Sequence, residues 1–220
     1  MSYIELNARS AFSFLRGASF PEQLAERAAE LGLPAIALLD HNGVYGAQRF
    51  SVACREHGVR PIIGASLTME DGAIVPVLVE NRAGYRNLCS LLTTAHLRNE
   101  KGSCMVRYRE LPEFSEGLIA LLSVAQESVL GSARILRAGR GVSPQRTFPN
   151  SPEATTDQHL SKSSRRWNTV ASTRNECATQ KVAHRAELLL HAFGRDRIYV
   201  ELQRHLVRDE ARSNQQLIDL

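Results

Sequence analysis

Apolar runs of strand length alternate with helical periodicities along most of the chain. Tyr3–Leu6 reads as a short strand. Ser19 and Glu22 have the spacing of a capping box, the serine taking a first-turn amide while the glutamate reaches back. Leu24, Ala28 and Leu31 follow at helical spacing, and Gly32 marks the stop. Ala35–Leu39 is continuously apolar, the pattern of a parallel strand covered on both faces. A helix over Val44–His57 ends at Gly58, and Pro61–Ser66 is a further buried strand. Asp71 and Gly72 form a turn before the strand Ile74–Val79. Behind an Asn81 cap, Arg82–Leu97 carries Tyr85, Leu88, Leu91, Leu92 and Ala95 as an amphipathic stripe. Gly117–Leu122 predicts another strand. A helix over Val182–Phe193, a strand over Ile198–Leu202 and an amphipathic helix running into Leu220 complete the pattern.

Residues 139–181 break it. They are rich in Ser, Thr, Asn and Gln, hold Pro144, Pro149 and Pro152, and show no sustained period. A disordered insertion is the expectation, with a basic tether touching DNA phosphates and a wrongly joined coding stretch as alternatives. Charge is concentrated there too. The 220-residue chain carries +4 overall, yet residues 134–185 hold ten Lys/Arg against three Asp/Glu, and the remainder, at 17 against 20, is slightly acidic. The basic balance therefore marks one segment and no binding face on the folded part.

At 43% apolar and 23% charged, the composition is that of a globular protein. No apolar run approaches the roughly 20 residues of a membrane span, and the start lacks a signal-peptide pattern. Cys54, Cys89, Cys104 and Cys177 are scattered without a Cys-x-x-Cys pair, so reduced thiols in a cytoplasmic protein are expected and a classical zinc site is not. Cys54 and Cys89 fall on helix faces and read as core. There is no Gly-x-Ser-x-Gly elbow and no Walker-type phosphate loop. Phe12 and Phe14 alternate beside a strand end, which predicts core packing rather than base stacking.

Repeated strand–helix units imply an α/β fold, a parallel β/α barrel or a doubly wound sheet. In either, functional residues gather at the carboxyl ends of strands. That geometry singles out Asn7, Arg9, Asp40, His41, Ser66, Ser123 and Glu201–His205.

The same strand ends carry a family resemblance. Glu5–Ser19, with its Phe-Ser-Phe-Leu-Arg-Gly-Ala-Ser string, resembles the opening of the PHP (polymerase and histidinol phosphatase) domain of bacterial C-family DNA polymerases. Leu39-Asp-His-Asn-Gly-Val-Tyr-Gly46 resembles its second motif and Gly58-Val-Arg-Pro-Ile-Ile-Gly64 its third strand. Asn87–Leu92 and Tyr199-Val-Glu-Leu-Gln-Arg-His205 resemble later segments. The first and last strings are most similar to the error-prone, damage-tolerant branch. The match covers residues 2 to about 123 and 183–220.

The resemblance implies a distorted parallel β/α barrel of PHP type, truncated before its last strand. It assigns residues 1–138 to the first part of the barrel, 139–181 to the insertion and 182–220 to the continuation; an unfinished barrel exposes a sheet edge and predicts poor solubility. It also implies what a metal centre here would need. Active members hold two or three ions on His, Asp, Glu or Cys ligands, which polarise a phosphate ester and activate water. His41 and His96 match ligand positions, and Glu201 and His205 lie in a matching segment. Asp40 accompanies His41 without being a ligand. Asn7 and Arg9 stand in place of a His-x-His motif, Arg16 in place of Asp or His, and Ser66 in place of Glu; Val124 falls near an expected cysteine. Asn is a weak neutral ligand, and Arg puts fixed positive charge where divalent cations would sit. No intact metal site and no cofactor are therefore expected in this chain. His57, His159, His184 and His191 match nothing and read as surface or packing residues.

The reading that follows is the N-terminal PHP region of an error-prone DNA-directed DNA polymerase, with a structural role. Mg2+ is expected in the polymerase core of the full-length parent. The expected partners are DNA through that polymerase, its core domains in cis and other damage-response polymerase subunits, with no membrane. A metal-dependent phosphoesterase or 3′–5′ exonuclease, and a non-functional gene fragment, are the alternatives.

Overall fold

The computed structural model describes residues 3–123 and 181–201. Six strands form one sheet in chain order. β1 (Glu5–Ala8), β2 (Ala35–His41) and β3 (Arg60–Thr68) run parallel, joined through α1 (Pro21–Glu30) and α2 (Ala47–Glu56). β4 (Ile74–Val79) lies antiparallel to β3 and to β5 (Leu118–Ser123), while β6 (Ile198–Glu201) returns parallel to β5. α3 (Arg82–Arg98) and the short α4 (Leu111–Phe114) link β4 to β5, and α5, over 181–193, precedes β6.

The α/β class holds, with the sheet mixed rather than wholly parallel. The turn that reverses β4 is the Asp71–Gly72 pair. Gly72 adopts φ +81°, and the Asp71 carboxylate accepts the Ala73 amide at 2.9 Å. A connection this short leaves no length for a crossover, so the returning strand must be antiparallel.

Register sorts side chains onto two faces. Ala37, Leu39 and His41 of β2 lie beside Ile62, Gly64 and Ser66 of β3, and Leu78 lies opposite Gly64. Ala37, Leu39, Leu78 and Leu121 form the small apolar cluster of this inner face. On the outer face, Ile36 and Leu38 meet Ala25, Ala28, Phe50 and Cys54 of α1 and α2. Further along, Ala65, Leu67, Val75 and Val77 pack against Leu88, Leu91, Leu189 and Phe193 of α3 and α5. β1 obeys both faces by a register shift: Glu5 pairs with Ile36 but Ala8 with Leu38, three steps against two, so Leu6 packs inside and Ala8 outside. The sheet curls enough for its edge strands to meet, Asn7 of β1 bonding Glu201 of β6. The result is a half-barrel whose open side is bridged at the mouth by side chains.

Several local expectations shift. The first strand is Glu5–Ala8, and α1 is capped by Phe20, whose amide donates to Gln23 at 2.9 Å; Ser19 and Glu22 do not form the box. The buried stripe of α1 is Pro21, Ala25 and Ala28, while Leu31 is exposed at its end. α2 starts at Ala47, three residues later than expected. Phe12 and Phe14 do not enter the core: both are exposed, and Phe12 shares with Phe20 the guanidinium of Arg49, 5.8 Å from each ring. α5 is tied to the β3–β4 turn, since buried Arg185 donates from Nε to the Tyr108 hydroxyl and from Nη2 to Asp71, each at 3.0 Å. Val124, the 139–181 segment and the helix expected to run into Leu220 lie outside the described residues, apart from Lys181.

Candidate functional site

The strand ends converge on two polar arrangements, one on each side of β2. The first lies on the outer side and is built on Asp40, which is 1% exposed. Its Oδ1 accepts the Ser10 amide at 3.0 Å and the Ser13 hydroxyl at 2.8 Å, and the Ser10 hydroxyl reaches both carboxylate oxygens at 2.8 and 2.9 Å. Ser13 Oγ in turn accepts the His41 amide at 3.0 Å. Asp40 therefore anchors the loop between β1 and α1 and is turned away from the barrel mouth.

The second arrangement is the mouth itself. Asn42, in the left-handed region at φ +51°, folds its amide back over β3. Asn42 Oδ1 accepts the Thr68 amide at 2.8 Å, and its Nδ2 donates to Thr68 Oγ1 at 2.9 Å and to His41 Nε2 at 3.2 Å. Because Nε2 accepts, the neutral His41 ring carries its proton on Nδ1, which is buried without a partner. Burial, then the charges of Arg16 and Arg9, push the His41 pKa down to about 4 from 6.5. His96 sits on the exposed side of α3 and spends Nε2 as a donor to the Asn42 carbonyl at 2.8 Å. Ser66, fully buried, donates to the Leu39 carbonyl at 3.3 Å. Asn7 donates through Nδ2 to both oxygens of Glu201, at 3.0 and 3.2 Å.

Arg9 follows β1 at the same mouth. Burial, then the charge of Arg16, lower its pKa, while Glu201 opposes them; the guanidinium stays protonated throughout. The structure thus brings together Asn7, Arg9, Arg16, His41 and Glu201, with Ser66 and His96 engaged around them; His205 and Val124 lie outside the described residues. Among the described residues, no three His, Cys, Asp or Glu side chains converge as a metal-holding group. The Asn7 amide and the Ser66 hydroxyl donate only weakly to a divalent cation, and the guanidiniums of Arg9 and Arg16 not at all.

Sequence reasoning missed Ser10, Ser13, Asn42 and Thr68. The Asn42-Gly43 pair after a strand is a turn signal that tolerates positive φ, and it was the available cue to Asn42. Nothing in sequence marks Ser10 or Ser13 as the partners of a carboxylate 30 and 27 residues away.

A pH dependence follows from His41. Its pKa is lower folded than unfolded, so the unfolded chain binds more protons between about 6.5 and 4 and stability falls as pH drops through that window. The contribution is about 1 kcal/mol, discounted because the ring is only half-buried. Urea midpoints for the chain and for His41→Gln should diverge in their pH slopes between 6.5 and 4.5, the variant being flatter. Parallel slopes would show that the ring titrates normally.

Curated relatives match over about half the chain. An error-prone DNA polymerase of Symbiobacterium thermophilum is 48% identical over 100 residues, 46% of this chain and 9% of that protein. An error-prone DNA polymerase of Pseudomonas fluorescens is 39% identical over 147 residues, 67% of this chain and 14% of that protein. The chain thus spans only a small part of the length of these relatives. A solved amidohydrolase structure from Chromobacterium violaceum, with bound sulfate and no metal, aligns at a TM-score of 0.36 and 22% identity over 50% of this chain and 37% of that one. The PHP domain profile runs through residues 5–205, from the first strand to beyond the last described one, and so the chain belongs to the PHP domain family.

Proposed function

We propose that this chain is the PHP region of an error-prone DNA-directed DNA polymerase and that it supports the polymerase core without doing chemistry itself. The curated relatives named error-prone DNA polymerase support the assignment, and with it a place in translesion synthesis, replication and repair inside the cell. Nucleotidyl transfer then belongs to core domains elsewhere in the parent protein. Mg2+ held there would supply charge stabilisation for the transfer, and DNA would be bound there, with other damage-response subunits as further partners.

The observation that carries the structural role is the use of the mouth's side chains. Asn7 is committed to Glu201, Ser66 to the Leu39 carbonyl and His96 to the Asn42 carbonyl, while Arg9 and Arg16 bring fixed positive charge. Such a set tethers strand ends; it does not donate electron pairs to two or three cations. The degenerate centre makes a phosphoesterase or exonuclease role in this chain the weaker reading.

Elemental analysis of the purified full chain provides the test. Zinc plus manganese should be well below one equivalent per chain, and neither primer extension nor chelator-sensitive 3′ cleavage should occur. More than one tightly bound equivalent, with cleavage abolished by His41→Ala, would overturn the non-catalytic reading.

A further inference from the structure

The loop between β1 and α1 holds apolar side chains out into solvent. Phe14 is 83% exposed and Leu15, beside it, 89%. The tip is a closed turn: the Arg16 and Gly17 amides both donate to the Ser13 carbonyl, at 2.8 and 3.0 Å. At its base the Ala11 amide donates to the Ser19 carbonyl at 2.8 Å, and a Cβ on Gly17 would come 2.2 Å from the Ser10 carbonyl oxygen. Asp40 fastens Ser10 and Ser13. Leu15 keeps φ +60°, a strained conformation for a bulky side chain.

More aromatic surface lies beside this tip, on the side of α1 and α2 rather than in the mouth. Phe12 and Phe20, both exposed, share Arg49 of α2, whose guanidinium carbon is 5.8 Å from each ring centre. Glu22 accepts from Arg49 Nε at 2.5 Å, and the two Nη groups have no partner among the described residues. Tyr45 is exposed on the next loop, which abuts the start of α1: a Cβ on Gly46 would lie 3.1 Å from Pro21 Cγ. Residues 7–21 and 41–50, which make up these two loops, contain three arginines and no Asp or Glu, although the chain outside 134–185 is slightly acidic.

Rings fixed on a stiff loop lose little freedom on binding. Their open faces suit any flat base, and guanidiniums among them suit the phosphates between bases. A second copy of the chain would bring like charges together on this face, and duplex DNA keeps its base faces covered. We propose that the β1–α1 loop and the adjoining end of α2 form a stacking platform for single-stranded DNA. Phe14, Phe12 and Phe20 offer ring faces, and Arg16 and Arg49 meet the backbone. This contact goes beyond the structural role proposed above and stands whether or not the mouth holds metal.

Fluorescence anisotropy of labelled strands with the full chain tests it. An oligothymidylate of about twelve nucleotides should bind about tenfold more tightly than an abasic strand of equal length. The abasic strand controls for the basic residues of 134–185, which attract phosphates without needing bases. Phe14→Ala should weaken oligothymidylate binding about tenfold, the worth of one stacked base, with unchanged salt dependence. Arg16→Gln should lower the slope of log K against log salt by about 0.7, one phosphate contact on a single strand. Both residues are exposed, so neither substitution disturbs the core. Arg60→Gln, the same charge change at the amino end of β3, should leave affinity and slope as they are. Equal affinity for the abasic strand, for duplex DNA or in Phe14→Ala overturns the proposal, as does a chain that binds no DNA. Self-association in sedimentation that Phe14→Ala abolishes, with DNA binding intact, overturns it too and gives the face to a second copy.

Discussion

Replacing Asp40 by alanine is expected to destabilise the chain by about 3–4 kcal/mol, the largest effect of any single side chain at the strand ends. Asp40 is buried at 1% exposure and takes hydrogen bonds from one backbone amide and two hydroxyls, all between 2.8 and 3.0 Å. Those hydroxyls are themselves acceptors. Ser10 Oγ receives the Phe12 amide at 3.2 Å, and Ser13 Oγ receives the His41 amide at 3.0 Å. Losing the carboxylate therefore leaves an amide and two hydroxyls of the buried Ser10 and Ser13 without acceptors, each costing about 1–3 kcal/mol. Some of that returns as the loop relaxes. Gly46, where a Cβ would come 2.9 Å from Asp40 Oδ2, shows how tightly the carboxylate is enclosed. Urea unfolding followed by circular dichroism gives the loss directly. Asp40→Asn should cost less, about 2 kcal/mol, because one carbonyl acceptor survives. A loss below 1 kcal/mol for the alanine variant would show that water substitutes freely and that the loop is not anchored here.

Gly84→Ala is expected to be nearly as damaging, at about 3 kcal/mol, although alanine is ordinarily the better helix former by about 1 kcal/mol. A Cβ on Gly84 would meet the Gly117 carbonyl oxygen at 1.8 Å, and that contact is with backbone rather than a side chain able to turn aside. The same carbonyl accepts the Glu80 amide at 2.9 Å, so it is held from the other side. Gly84 also donates its own amide to the Asn81 cap at 3.0 Å. Relief requires α3 to lift away from the start of β5, loosening Leu88, Leu91 and Leu92 from the largest apolar cluster. The melting temperature should fall by several degrees. Ala83→Gly, one residue earlier at an exposed position, makes the contrast: it should cost only the helix propensity, about 1 kcal/mol. A stabilised Gly84→Ala would mean that the helix does not ride on β5 at this distance.

Much of the scaffold is legible in the order of residues because burial writes itself into local pattern. Ala35–Leu39 and Ile74–Val79 are apolar for a strand's length, and both are buried strands, the second with its predicted ends. Asn81 caps α3 as its position before the periodic stripe requires, and Gly32 and Gly58, at φ +66° and +70°, end the turns that follow α1 and α2. Each of these depends on neighbours a few residues away. Likewise Asn7, Arg9, His41 and Ser66 were reachable, since a strand's carboxyl end is a local property and the family motifs sit there.

What escaped depends on distance along the chain. The Ser19–Glu22 box lost to the Phe20–Gln23 pair because the Ser19 carbonyl is drawn to the Ala11 amide at 2.8 Å, a contact made by the folded loop. Phe12 and Phe14 alternate like core residues but project from that loop, whose course is dictated by Asp40. The reversal of β4 was implicit in Asp71–Gly72, yet its consequence for sheet direction appears only once β3 and β5 take their places beside it. Sequence by itself determined which segments are strands and helices, which glycines end them and which unusual residues stand at the strand ends. Tertiary structure alone decided that Asn7 meets Glu201 across 194 residues, that Asp40 faces away from the mouth, and that the charges of Arg9 and Arg16 act on His41. The physical reason is that secondary structure follows from local periodicity and backbone sterics. The charge around a side chain depends on which strands the curled sheet brings together, and no local pattern encodes that.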